Sequence, residues 1–202
     1  MGGACQVMGG GEQMIHVNMM VDAKGLSCPM PIVKSKKAIN ELQPGQVLEI
    51  QATDKGSKAD IKAWAESTGH QYIGTMEEGN VLKHYIRKVS ENEEKEQPQF
   101  PHIISNEELL ARLNEANTTV LDVREQAEYA FGHIPGALSL PLGELEQKMD
   151  QISKESHVYV ICRTGNRSDL AAQKLMEYGF LHVWNVVPGM SQWTGPLEKE
   201  QM

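Results

Sequence analysis

The chain has 202 residues, 40% hydrophobic and 23% charged, with 19 lysines and arginines against 27 aspartates and glutamates and a formal net charge of −8. That length is enough for two compact cores. The acidic balance excludes nucleic acid as the main partner, because phosphate binding needs a basic face, and no run of about 18 apolar residues is present to span a membrane. Cysteine usage is sparse. Cys5, Cys28 and Cys162 are an odd number at wide spacing, which excludes a disulfide scaffold and a C-x2-C metal pair. No metal and no cofactor is expected, so isolated cysteines are either core residues or reactive thiols.

Residues 1–20 are rich in glycine and methionine and read as a disordered extension. They lack a basic stretch followed by an apolar one, so they do not read as a secretory signal, and a cytoplasmic chain is expected. Cys5 belongs to this tail, with no basic neighbour and no regular element around it. Met30 to Leu42 reads as a helix, with Pro31 in its first turn, where a missing N–H costs little. Gln46 to Thr53 alternates apolar and polar residues as a half-buried strand does. Ser57 to Thr68 puts Ile61, Trp64, Ala65 and Thr68 on one helical face, with Ser57 and Asp60 as a near capping box and Gly69 at its end. Gln71–Met76 and Val81–Arg87 flank Glu78-Gly79-Asn80 as a hairpin. The order β-α-β-α-β-β predicts a two-layer α/β sandwich over residues 21–89, with its helices on one face.

Residues 90–101, with four glutamates and two prolines, have the composition of an acidic linker whose charges are solvated. Beyond it, Ser105 and Glu108 form a capping box ahead of Leu109, Leu110 and Leu113. Strand runs follow at Thr119–Val123, Ala137–Leu140, His157–Cys162 and His182–Val187, separated by helical stretches. Short β-branched runs alternating with helices predict a parallel sheet covered on both faces over residues 102–202. Ligands of such sheets sit beyond the carboxyl ends of the strands, where Cys162 ends one.

Between that strand and a helix from Ser168 to Tyr178 lies Arg163-Thr164-Gly165-Asn166-Arg167. A tight strand-to-helix loop with a central glycine turns successive backbone N–H groups inward and forms an anion cradle at a positive helix terminus. A thiolate, a persulfide or an anionic sulfur donor is stabilised there, and two arginines add to the field. Cys28 stands immediately before the other helix, whose start is set by Pro29 and Pro31. The prolines hold its sulfur at an exposed helix tip, and Lys34, Lys36 and Lys37 raise the local potential.

Leu121-Asp122-Val123-Arg124, Gly132-His133-Ile134-Pro135-Gly136-Ala137, Cys162 to Ser168, and Pro188-Gly189-Met190-Ser191-Gln192-Trp193 together resemble a single-domain rhodanese over residues 102–197. The resemblance implies a five-stranded parallel sheet and a sulfurtransferase that carries sulfane sulfur as a cysteine persulfide. Met190 departs from the second glycine that many members carry after Gly189. Asp122 and Arg124 match the family's first signature and read as braces of the active loop, and His133 as an equal candidate for holding a turn. Dual-specificity phosphatases of related fold place an arginine six residues after the cysteine. Here Ser168 occupies that place and Arg167 comes one earlier, so sulfur transfer is expected over phosphoester or arsenate chemistry.

Cys28-Pro29-Met30-Pro31, preceded by Asp22-Ala23-Lys24-Gly25-Leu26 and followed by Gln43-Pro44-Gly45, resembles the TusA/SirA-like sulfur carriers over residues 20–89. Members of that family pass a persulfide sulfur between protein thiols. Two reactive thiols, one per domain, imply a relay. Cys162 takes sulfur from a small anionic donor such as thiosulfate or a low-molecular-weight persulfide, which Arg163, Thr164, Gly165, Asn166, Arg167 and Ser168 bind. Cys28 or another thiol or protein acceptor then receives it, and transfer from Cys28 to Cys162 is equally compatible. Residues 21–89 carry 10 lysines and arginines against 8 acidic residues, and residues 102–202 carry 8 against 14, so opposite net charges favour contact between the domains. A non-enzymatic persulfide carrier or reactive-sulfur sensor, or a catalytic rhodanese half with the carrier half as a docking module, are the rival readings.

Overall fold

Residues 15–90, 93 and 99–200 are described by the computed structural model; Cys5 and most of the acidic linker lie outside them. Among the described residues the chain forms two α/β units. The first runs β1 (Met19–Ala23), α1 (Met30–Glu41), β2 (Val47–Ala52), α2 (Ser57–Ser67), β3 (Gln71–Glu78) and β4 (Val81–Arg87). Its sheet has the order β1-β2-β4-β3, with β1 parallel to β2 and the other pairs antiparallel. Ala38, Ile39 and Leu42 of the α1 region and Ile61 and Ala65 of α2 pack on Leu48, Ile50 and Ile86, so both helices cover one face, as expected.

Three local readings need correction. β1 begins at Met19, inside the stretch read as a disordered extension. Asn18 is held to Val47 by two hydrogen bonds of 2.8 and 2.9 Å, and Ile15 and Val17 pack on the sheet. This alternation of apolar residues is too short to stand out behind a glycine-rich run. Ser57 does not cap α2. Gly56 occupies the cap position, and the Ser57 hydroxyl instead donates to Asp54 O at 2.6 Å and lies 3.0 Å from His84 Nε2. β2 is not half-buried but covered on both faces, because Val47 and Tyr85 on the open side pack against Ala127 and Phe131 of the second unit.

The second unit runs β5 (Ile103–Ile104), α3 (Asn106–Arg112), β6 (Thr118–Asp122), α4 (Gln126–Phe131), β7 (Leu138–Ser139), α5 (Leu145–Lys148), β8 (His157–Ile161), α6 (Asn166–Glu177) and β9 (Val183–Val186). All its strand pairs are parallel, in the order β5-β9-β8-β6-β7. The Ser105 hydroxyl accepts from Glu108 N and the Glu108 carboxylate from Ser105 N, closing the expected capping box. Leu145, Ala171, Ala172 and Leu175 cover one face of the sheet, and Leu109, Ile134 and Ala137 cover the other. No helix of the described residues is long and apolar enough to cross a membrane.

Candidate active site

Cys162 follows the carboxyl end of β8, the central strand, and is 1% exposed. Gly165, at φ +102°, turns the chain into α6 and directs its N–H at Cys162 Sγ, 3.1 Å away. Ser168 Oγ lies 3.3 Å from the same sulfur and 2.6 Å from Asn185 Oδ1, and its single proton turns to either. Asn185, on neighbouring β9, also donates from Nδ2 to Gly165 O at 3.1 Å, so one buried amide holds both ends of the cradle. No motif in the sequence marked Asn185, which lies in an ordinary strand run. The loop is braced from behind as well. Met190 N donates to Cys162 O at 2.8 Å and Ser191 N to Arg163 O at 2.9 Å. Gly189 makes this approach possible: at φ +82°, a Cβ there would stand 2.5 Å from Cys162 O. Met190, where many rhodaneses carry a glycine, is partly buried and packs against the hydrophobic cluster on this face of the sheet.

The two arginines expected in the cradle part ways. The Arg167 guanidinium is buried and donates to both oxygens of Glu128, at 2.7 and 3.0 Å. Its charge is shared between Glu128, Glu93 and Cys162, so it braces the loop and adds to the positive field at the sulfur. Arg163 lines a cleft of about 950 Å³ between the two units, opposite Pro44, His70, Gln71 and Lys88. Thr164 Oγ1 is buried beside it with no hydrogen-bond partner among the described residues. Asn166 Nδ2 donates to Glu93 O. Asp122 and Arg124 form a buried pair. Arg124 donates to Asp122 through Nε and Nη2, at 2.9 and 2.6 Å, and to Gly132 O at 2.7 Å, clamping the loop after β6. His133 stacks on Tyr129 at 3.7 Å and pairs its backbone with Glu198, a turn-holding role.

Glu128 is the residue that sequence reasoning missed altogether. It joins Arg167 to Gln71 of the first unit, at 2.9 Å, and stands 3.8 Å from Arg87 of β4. Burial alone pushes its carboxyl up, but Arg167, then Arg87 and Arg124, hold it well below the usual carboxylate range. Glu93 completes the cluster with two bonds to Arg87, at 2.9 and 3.0 Å. This linker glutamate is a half-buried structural partner, not a solvated charge, because the contact between the units presents two guanidinium groups to it.

Cys28 is exposed, as expected, and Pro31 is buried in the first turn of α1, whose N-cap is Pro29. Its electrostatics are opposite to the expectation. A hydrogen bond to the Asp60 carboxylate, with burial and the charges of Asp60 and Asp54, pushes the Cys28 thiol up. The lysines of α1 do not offset this, and Lys34 Nζ is taken by Asp22 O at 3.0 Å. Cys28, Asp54, Ser57 and Asp60 line one small cavity between the N-terminal turns of α1 and α2.

The structure brings the two units together but not the two thiols. Cys28 lies at the Ala23 and Ala52 end of the first sheet, where Gly25 N donates to Thr53 Oγ1. Glu128 and Arg167 meet the opposite end, at Arg87 and Gln71. The length of β2, about 17 Å at the usual rise per residue, separates the two ends.

A family model described as Sulfurtransferase TusA matches residues 19–88, and one described as Rhodanese-like domain matches residues 105–196. The chain is 47% identical over 186 residues to "Putative sulfur carrier protein YrkF" of Bacillus subtilis (strain 168), covering 92% of this chain and 100% of that one. The chain belongs to this family of TusA–rhodanese fusions. Its TusA unit is also 56% identical over 69 residues to "Putative sulfur carrier protein YrkI" of the same organism, covering 34% of this chain and 92% of the relative. A crystal structure of a rhodanese-related protein from Thermoplasma volcanium is similar at 32% identity and a TM-score of 0.46, covering 49% of this chain and 99% of that one. The fusion is thus a sulfur-transfer protein, with one thiol in its TusA unit and one in its rhodanese-like unit.

Proposed function

We propose that the fusion is a cytoplasmic sulfurtransferase in which Cys162 takes sulfane sulfur from a small anionic donor, thiosulfate or a low-molecular-weight persulfide, and Cys28 carries it to a thiol acceptor. The observation that carries this reading is the cradle at Cys162 Sγ, with Gly165 N–H at 3.1 Å and the Ser168 hydroxyl at 3.3 Å. The Cys162 thiolate attacks the outer sulfur of the donor, a new S–S bond forms, and the donor's own bond to that sulfur breaks. With thiosulfate, sulfite leaves with the electron pair. Donors fixed in advance at the head of α6 stabilise the persulfide as its charge develops. Thr164 Oγ1, buried and unpartnered among the described residues, is a candidate hydrogen bond to the donor, and Arg163 on the cleft is its candidate counter-charge.

Purified protein assayed for transfer of sulfur from thiosulfate to cyanide tests this. Full turnover by Cys162→Ser would overturn it, whereas the expected result is loss of turnover and of the added sulfur in intact mass. A second reading, a carrier or sensor that presents sulfur to a protein partner without efficient turnover, is favoured by the acidic surroundings of Cys28. It predicts stoichiometric sulfur on Cys28 with little cyanide turnover in the same assay.

A further inference from the structure

We propose that sulfur passes between the two thiols in trans, from Cys162 of one molecule to Cys28 of a second copy of this chain, an inference that rests on the persulfide reading above. A direct transfer needs sulfur–sulfur contact. Within one chain Cys28 stands at the Ala23 and Ala52 end of the first sheet, and Arg163, next to Cys162, faces the other end at Gln71 and Lys88, about the span of β2 away.

A swing of the TusA unit within one molecule is opposed by the way the units are joined. Phe131 of α4 packs on Tyr85 with ring centroids 5.6 Å apart, and it fills the space at Gly74 so closely that a Cβ there would run into the ring. Beside this apolar contact lie the buried charges of Glu128, Arg87 and Arg167, with Gln71 bonded to Glu128 and Glu93 to Arg87. Parting the units takes Glu128 away from Gln71 and Arg87 and leaves this buried carboxylate with Arg167 of its own unit, which costs part of a buried ion cluster. The contact also covers the face of the sheet opposite the helices, so the tip that carries Cys28 points away from it.

That tip is built for another macromolecule. Cys28 is exposed, and Met30 and Val33 of α1 beside it are 46% and 53% exposed, an apolar rim next to a thiol. The chain itself supplies a complementary partner. The TusA unit carries a net +2 and the rhodanese-like unit a net −6, and opposite charges that steer units of one chain steer units of two chains equally. In the transfer, Cys28 sulfur bonds to the outer sulfur of the Cys162 persulfide and the S–S bond of that persulfide breaks. Cys162 leaves with the electron pair and ends with the proton that Cys28 gives up. Sulfane sulfur moves with no net oxidation.

The test uses full-length chains, one isotopically labelled so that each is weighed separately. Cys28→Ser exposed to thiosulfate is first checked for sulfur on Cys162. Its absence overturns the persulfide reading, not the route. Cys162→Ser exposed alone is expected to gain no sulfur on Cys28 and to gain it when mixed with Cys28→Ser. In the unsubstituted chain, the Cys28 loading rate per molecule is expected to double with each doubling of protein concentration. A rate independent of concentration, with no loading in the mixture, overturns the proposal in favour of a swing within one chain. Direct loading of Cys162→Ser by thiosulfate overturns it as well.

Discussion

Glu128 accepts hydrogen bonds from both terminal nitrogens of Arg167, at 2.7 and 3.0 Å, so the arginine that closes the Cys162 loop is anchored in the helix that also carries the contact with the TusA unit. Loop and domain contact therefore share one buried carboxylate.

Replacing Glu128 with alanine leaves the buried Arg167 without the carboxylate that takes both its terminal nitrogens, while Arg87 keeps Glu93. Removing one member of such a pair costs about 3–5 kcal/mol. Urea unfolding should show a loss of that order, little changed by added salt because the cluster is buried. Sulfur loading of Cys162 should fall with it.

Ser168→Ala removes a hydroxyl from Cys162 Sγ and strands Asn185 Oδ1. A hydrogen bond to a charged group is worth about 1.5–3 kcal/mol, so persulfide formation at Cys162 should slow by roughly tenfold or more. Single-turnover kinetics with thiosulfate would measure this, and unchanged kinetics would remove Ser168 from the cradle.

Cys28 has a thiol pushed up first by its hydrogen bond to Asp60. Its alkylation by iodoacetamide, followed in a Cys5→Ser, Cys162→Ser background, should reach half-maximal rate above the ordinary thiol value. Asp60→Asn should move that midpoint down in pH, because the asparagine carries no charge against the thiolate. A midpoint that stays in place would show that Asp60 does not govern this thiol.

His84 is buried beneath α2, 3.0 Å from Ser57 Oγ and 2.7 Å from Thr75 Oγ1. Burial, with Lys58 nearby, lowers its pKa from 6.5 to about 4. The unfolded chain binds this proton at higher pH than the folded one, so the stabilisation is fully present above about pH 6.5 and is lost as pH falls toward 4. The melting temperature of the TusA unit should drop by several degrees over that window, and His84→Gln should flatten the dependence.

The two units, their layers and both thiols were legible because each rests on local pattern. Prolines before α1, a glycine-centred loop before α6 and β-branched runs between helices encode their geometry within a few residues. What escaped the reading depends on distant partners. Ser57 looks like a helix cap until His84, from another strand, takes its hydroxyl. Glu93 looks solvated until Arg87 and Arg167 converge on it. Asn185 is an unremarkable strand residue until α6 brings Ser168 against it.

The sequence by itself determined that this protein has two thiols at helix N-termini, one in each of two folded units, because helix starts and loop spacings are properties of contiguous residues. Only the tertiary structure decided what surrounds them. It joined Arg167 to Glu128, set Asp60 beside Cys28 in place of the lysines, and put Cys28 at the end of its sheet away from Arg87 and Gln71, where the second unit docks. Electrostatics and reach act through space, and residues far apart along the chain set both.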